Sequence, residues 1–225
     1  MKLFQKLVIK NNRYKLNDLG FHGDQYLIKV VDSLVQQHLS TFIETGTNVA
    51  STLKYFASKY PDIDCYSCEP DKKAYYHANS NTERLQNVNL FNCLSQDFLK
   101  MIELEYTHLF ERKALFWLDA HDYGFHWPLK EEIEFIFKNF KNGYILIDDF
   151  KVPHLDIFGY DFYENQECSY NYIKDAIPNV PYQLFYPNYE EKTSKHHPLR
   201  GWGLLVFGEE LILSKSIESL VYQAI

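Results

Sequence analysis

Ala114-Leu115-Phe116-Trp117-Leu118-Asp119, a helical interval, and then Gly143-Tyr144-Ile145-Leu146-Ile147-Asp148-Asp149 carry the signature of the architecture. Both runs are apolar at every position instead of alternating, and both are short enough to be strands. Between them, residues 129–139 place Ile133, Phe135 and Ile136, with Phe140 following, near a 3.6-residue spacing. A strand, a helix and a second strand, with both strands apolar on two faces, describe neighbouring parallel strands covered by helices on either side.

The same rhythm extends in both directions. Residues 26–39 read as a helix, with Leu27, Ile28, Val30, Val31, Leu34 and Val35 on one face. Thr41-Phe42-Ile43-Glu44 is a first strand broken by Gly46, and a helix over 50–60 stops at Pro61. Cys65-Tyr66-Ser67-Cys68-Glu69 is a second strand, with a polar helix over 71–84. Asn87-Val88-Asn89-Leu90-Phe91 is a third, followed by a helix over 96–105. After the fifth strand come a helix over 170–177, a strand over 182–186 and a last strand, Gly203-Leu204-Leu205-Val206-Phe207. The loop 187–202 between the final two strands has no helical pattern, so these strands are expected to be antiparallel neighbours. The predicted fold is therefore α/β. It is a doubly wound, Rossmann-like, seven-stranded, mostly parallel sheet with one antiparallel strand near the edge and helices on both faces. One domain over 1–225 is expected, with a helical segment at 1–40, the sheet core at 41–208 and a tail at 209–225.

Composition narrows the function. The 225 residues are 46% hydrophobic and 24% charged, ordinary for a globular protein. Lys plus Arg number 23 against 30 Asp plus Glu, a net charge of −7, which argues against a nucleic-acid partner. No apolar run approaches a membrane span and no leader-like segment opens the chain, so no membrane association and a cytoplasmic location are expected. Cys65 and Cys68 have zinc-knuckle spacing without a second pair, and on a strand they point to opposite faces. Reduced thiols are the expectation. The apolar tail 211–225 packs either on its own sheet or on a second copy in a homo-oligomer.

In a doubly wound sheet, ligands bind beyond the carboxyl ends of the strands, where the strand order reverses. Here four of the first five strands end in an acid: Glu44, Glu69, Asp119 and Asp148, the last followed by Asp149. Gly46 permits a sharp turn and close approach of backbone to a ligand. The helix that follows aims its N-terminus at that turn, favouring an anionic group such as a carboxylate. Glu69 is placed to accept hydrogen bonds from both hydroxyls of a ribose; the competing reading makes it a cap for the next helix. A nicotinamide dinucleotide is less well served. Its fingerprint needs three glycines after the first strand, and only Gly46 is present.

On these motifs the chain resembles the class I S-adenosylmethionine-dependent methyltransferases. Phe42-Ile43-Glu44-Thr45-Gly46-Thr47 is similar to the first motif of that family and Tyr66-Ser67-Cys68-Glu69-Pro70-Asp71 to the second. The endings Phe116-Trp117-Leu118-Asp119-Ala120-His121 and Ile147-Asp148-Asp149 are similar to those of macrocin-type small-molecule and sugar O-methyltransferases, several of which need Mg²⁺. The resemblance implies that Glu44 meets the methionine amino group and that Thr45, Gly46, Thr47, Asn48 and Ser51 surround the methionine portion. It further implies Glu69 and Pro70 at the ribose, Leu94 and Ser95 at the adenine, and Asp119 beside the sulfonium. Asp119, Asp148 and Asp149 would be the Mg²⁺ ligands. His121 stands where those enzymes usually place a second acid, which makes Asp119 and His121 the two candidates for general base. Asp122 and His126 are weaker candidates. The loop before the last strand holds Lys195, His196, His197 and Arg200; Arg200 with His196 and His197 has the charge to bind a carboxylate or phosphate on the acceptor, and the competing reading is a solvated hairpin.

The expected activity is S-adenosylmethionine-dependent methyl transfer to a hydroxyl of a small polar acceptor. Two readings compete with it: a non-catalytic module that binds a nucleoside cofactor, and a dinucleotide-dependent oxidoreductase.

Overall fold

The computed structural model describes residues 16, 19–121, 127–163, 165–190, 199–209, 215 and 217–225. Asp122, His126, Lys195, His196 and His197 lie outside the described residues. The strands are β1 (Thr41–Thr45), β2 (Asp64–Cys68), β3 (Val88–Phe91), β4 (Ala114–Leu118), β5 (Gly143–Ile147), the hairpin β6 (Phe162–Tyr163) and β7 (Gln166–Glu167), β8 (Tyr182–Pro187), β9 (Gly203–Phe207) and β10 (Val221–Gln223). The helices are α1 (Gln25–Val35), α2 (Ser51–Lys59), α3 (Lys72–Thr82), α4 (Ser95–Glu105), α5 (Leu129–Asn139) and the single turn α6 (Tyr170–Ile173).

The main sheet runs β10-β8-β9-β5-β4-β1-β2-β3, and β1 to β5 pair in parallel. The chain lays β2 and β3 on one side of β1 and then crosses to β4 on the other, so the order reverses between β1 and β4. Right-handed crossovers put α2 and α3 on one face and α4 and α5 on the opposite one. Consistent with this, α4 packs on α5 and α2 on β2. Every residue of β1, β4, β5 and β9 is buried, which is why β4, β5 and β9 read as unbroken apolar runs, whereas β1 buries Thr41, Glu44 and Thr45 with its apolar pair.

β9 lies between β5 and β8, antiparallel to both, as expected for a strand that returns through a loop. The sheet has eight strands and not seven. Val221–Gln223 of the tail pairs antiparallel with β8, with Val221 opposite Pro187, and closes the edge. The helix expected over 170–177 is only one turn, Tyr170–Ile173. None of the described helices is long and apolar enough to cross a membrane.

α1 begins where Asp24 accepts hydrogen bonds from the amides of Tyr26 (2.9 Å) and Leu27 (3.2 Å), an N-cap that satisfies two orphan donors. The other Asp24 oxygen accepts from the Tyr189 hydroxyl at 2.5 Å, and Trp202 Nε1 donates to that hydroxyl at 3.0 Å. This buried chain ties the start of α1 to the loops after β8 and before β9.

Candidate active site

The register levels the strand ends. Thr45 lies opposite Cys68 and Leu118, and Leu118 opposite Ile147, so Gly46, Glu69, Asp119 and Asp148 emerge on one rim. The backbone ladder continues one step past each strand. The amides of Gly46, Asp119 and Asp148 donate to the carbonyls of Cys68, Thr45 and Leu118 at 3.1, 3.0 and 3.0 Å, and that of Glu69 to Phe91 at 3.0 Å. The rim residues are thus fixed by the sheet itself.

Gly46 turns the chain with φ +84°, and a Cβ there would stand 2.3 Å from the Asp119 carbonyl oxygen, so no other residue fits without movement. The next bends, Asn48 at φ +51° and Ala50 at φ +68°, use the left-handed region without glycine. Asn is among the side chains that adopt this region most readily. Under the loop, Thr47 Oγ1 donates to the Cys68 carbonyl at 3.0 Å and meets Ser67 Oγ, which donates to Glu44 at 2.5 Å. Glu44 is buried, and that burial pushes its carboxyl up to about 8, against the Ser67 hydrogen bond, which pulls it down. Above the loop, the two oxygens of Glu69 accept from the amides of Asn48 (2.7 Å) and Asp71 (2.8 Å). The carboxylate therefore bridges the first and second strand-end loops. The cap of α3 is instead Asp71, which accepts from Ala74 at 2.8 Å.

These loops enclose a cleft of about 390 Å³. Of the residues expected at the cofactor, Gly46, Asn48, Glu69, Pro70, Leu94, Ser95 and Asp119 line it, together with Asp71, Ala74, Gln96, Ala120, His121 and Pro128. Leu94 is 41% exposed, unusual for a leucine beside a concave surface, and it forms an apolar wall with Pro70 and Ala74. Glu44, Thr45 and Thr47 are buried behind the lining. Ser51 lines a separate surface depression with Lys54, Tyr55 and Lys59 and is not among the residues lining this cleft. It opens α2.

Next to the cleft lies a cluster of charged side chains. His22 Nε2 and Asp148 Oδ2 are 2.6 Å apart, Arg200 Nε and Asp149 Oδ1 2.8 Å. His121 stands between Asp161 (Nδ1 to Oδ2, 3.2 Å) and Asp119 (Nε2 to Oδ1, 3.4 Å). The charge of Asp148 lifts the His22 imidazole to about 10 against burial, which lowers it. Burial works to raise Asp148, but the His22 imidazolium and its hydrogen bond overcome it and hold the carboxyl below its ordinary value. Asp119 is pushed well up by burial and by the neighbouring Asp148. Asp149 rises to about 7 through burial and the charges of Asp148 and Asp161, partly offset by Arg200.

Of the expected Mg²⁺ ligands, Asp119 and Asp148 meet within hydrogen-bonding reach, and Asp149 lies beside Asp148. Among the described residues, the donor atoms that gather within 4.8 Å of one another are those of His22, Asp148 and Asp149, and those of His121, Asp149 and Asp161; Asp119 belongs to neither group. Each group includes an imidazole, whereas Mg²⁺ prefers hard oxygen donors in near-octahedral order. Asp148 is hydrogen-bonded to His22, and Arg200 Nε approaches Asp149 Oδ1, an oxygen with no hydrogen-bond partner among the described residues. Arg200, expected to face an acceptor anion, is drawn onto Asp149 and also lies 3.6 Å from Asp161.

His22 and Asp161 were not singled out by sequence. His22 lies 126 positions from its partner, but a local signal exists in Gly20-Phe21-His22-Gly23-Asp24, a histidine between glycines just before a helix cap. Asp161 is brought to the rim by its amide, which donates to the Asp149 carbonyl at 2.9 Å.

No protein-family model matches the sequence, and no curated protein matches it. Solved structures do. An O-methyltransferase from Bacillus cereus in complex with SAH superposes with a TM-score of 0.55 at 16% identity, over 91% of this chain and 88% of that one. The O-methyltransferase TomG from Streptomyces achromogenes, involved in tomaymycin synthesis and in complex with SAM, gives 0.54 at 12% identity over 80% and 78%. Spermidine synthase from Thermotoga maritima gives 0.51 at 12% identity, with 82% of this chain spanning 60% of that one. At such identities the likeness is one of architecture: the chain shares a Rossmann-like α/β fold with these structures.

Proposed function

We propose that the protein transfers the methyl group of S-adenosylmethionine to a hydroxyl of a small polar acceptor. The observation that carries this reading is Glu69, whose two oxygens are held at the cleft by the amides of Asn48 and Asp71. Each oxygen of a carboxylate can accept more than one hydrogen bond, so a carboxylate so oriented can also receive the two hydroxyls of a ribose. Leu94, Pro70 and Ala74 offer the apolar surface an adenine needs, and the turn at Gly46 admits the methionine portion toward Asp119. The two O-methyltransferase neighbours, solved with SAM and SAH, support the same donor and hydroxyl acceptors.

The transfer is an in-line displacement. An acceptor oxygen attacks the methyl carbon, the carbon–sulfur bond breaks, and S-adenosylhomocysteine leaves with the electron pair on sulfur. The rate gain comes from holding the two centres in line. The acceptor proton must leave as its oxygen becomes an ether. His121 is the base in this reading: Asp161 engages Nδ1, so Nε2 faces the cleft beside Asp119 and takes the proton. Asp119 stabilises the imidazolium that forms. Mg²⁺ held by Asp119, Asp148 and Asp149 would acidify the acceptor hydroxyl; each of these steps is made by the chain's own residues.

An oxidoreductase reading is disfavoured by the loop after β1. A dinucleotide fingerprint would place glycine at 48 and 51, where this chain has Asn48 and Ser51. Calorimetric titration with S-adenosylmethionine, S-adenosylhomocysteine and NADH tests the choice. Binding of the first two and not the third is expected; binding of NADH alone would refute the proposal.

A further inference from the structure

We infer that Gln96 reads the far edge of the purine through a side-chain amide that can turn, so that the cleft takes a 6-oxo purine nucleoside as well as a 6-amino one. The inference rests on the methyl-transfer reading for the cleft and names the base specificity of that same site.

The rim sets the direction of the ligand. Strand order places Asp119 after β4, Gly46 after β1, Glu69 after β2 and Gln96 beyond β3, the edge strand, and all four line the cleft. With the sulfur toward Asp119 and the ribose on Glu69, the base lies toward β3. Its glycosidic nitrogen then turns to Glu69, and the opposite edge, N1 with the group on C6, faces residues 94–96. The backbone there is well fixed. The Phe98 amide donates to the Leu94 carbonyl at 3.0 Å, and the buried Phe98 ring packs on Phe91 at 5.5 Å.

Leu94 marks this end as a ligand surface. It stands at the N-cap of α4, where a side chain that accepts from the first amides is preferred, and it gives none. It is also among the exposed large apolar residues. A residue that neither caps nor packs breaks a local rule, as residues at binding sites do. Its gain is contact with the face of a base, but leucine offers no polar atom to the edge. Asp71 already caps α3 through the Ala74 amide at 2.8 Å, and Ser95 is buried. Of the lining residues after β3, Gln96 is the exposed polar one, and its amide holds a donor and an acceptor side by side. An amide of this kind can pair bidentately with an adenine edge. Adenine presents a donor on C6 and an acceptor at N1; hypoxanthine presents an acceptor on C6 and a donor at N1. A half turn of the amide matches either. The Ser95 hydroxyl, 3.5 Å from Gln96 Oε1, is too distant to hold one orientation.

The test is calorimetric titration of the full chain with S-adenosylhomocysteine and with S-inosylhomocysteine, which differ only at C6 and N1. The wild type should bind the two within about tenfold of each other, since both edges find two partners on one amide. Gln96→Met should weaken both at least about fivefold, the smallest worth of a bidentate amide–base pair. A melting curve checks the fold of the variant, and Gln96→Ala, with the same expectation, serves if Gln96→Met does not fold. A wild type that binds S-inosylhomocysteine more than about tenfold more weakly than S-adenosylhomocysteine would overturn the inference. So would a folded variant that loses less than about fivefold on either ligand. Binding of neither ligand by the wild type would refute the methyl-transfer reading instead.

Discussion

Replacing Glu69 by glutamine changes one atom of the side chain and little of its shape. In the wild type one oxygen accepts from Asn48 N at 2.7 Å and the other from Asp71 N at 2.8 Å. Glutamine offers one oxygen and one NH2 group. Whichever way the amide turns, one backbone N–H faces a second donor, and one ribose hydroxyl loses its acceptor. A hydrogen bond to a charged group contributes about 1.5–3 kcal/mol, so the lost backbone contact should lower stability by a similar amount. The lost ribose contact should raise the dissociation constant of S-adenosylhomocysteine about 10- to 100-fold, at about 1.4 kcal/mol per decade. Calorimetric titration of both proteins at one pH measures the affinity, and a melting curve checks the fold. Unchanged affinity in a folded Glu69→Gln protein would mean that this carboxylate only staples two loops, and the ribose assignment would fall.

Three further perturbations follow from the structure. Gly46→Ala should abolish S-adenosylhomocysteine binding while leaving the circular dichroism spectrum intact: a Cβ 2.3 Å from the Asp119 carbonyl oxygen must displace that residue, and the left-handed backbone adds about 1–2 kcal/mol. Asp24→Ala removes a helix cap and strands the buried Tyr189 hydroxyl. Together these should cost about 2–4 kcal/mol, or about 5–15 °C in Tm by calorimetry. Glu132, buried in the first turn of α5, is pushed up to about 7 by burial, against hydrogen bonds from Ser95 and Thr45. Its unfolded form ionises near 4.5, so between that pH and about 7 the folded chain holds the extra proton and stability falls as pH rises. Glu132→Gln stays neutral, so its Tm relative to wild type should climb from pH 5 to pH 8; a pH-independent difference would contradict the assignment.

The parts of the fold that sequence reveals are those set by burial on two faces. Ala114–Leu118 and Gly143–Ile147 are apolar at each position because helices cover both sides of the sheet, and the acids that follow mark where the strands leave the core. Val221–Gln223 gives no such signal, since a three-residue edge strand buries only Val221. The cleft was legible at Gly46, Glu69, Leu94 and Asp119, which line it because strand order brings their strand ends to one rim. Ser51 was not, because the direction of a side chain in a helix's first turn depends on how the helix docks. The charge cluster was legible only on its acidic half. The cations that complete it reach it through loop geometry, which has no periodicity: His22 from a left-handed turn and Arg200 from a bridge to Gly159.

The claim on which the rest depends is that one adenosine-bearing ligand lies along the rim from Leu94 to Asp119. A crystal structure of the complex with S-adenosylhomocysteine tests it directly. The account predicts both ribose hydroxyls on the Glu69 carboxylate, the adenine against Leu94 and Pro70, and the sulfur over the Gly46 turn, facing Asp119 and His121. Ligand bound elsewhere on the molecule, or a ribose that does not touch Glu69, would contradict it.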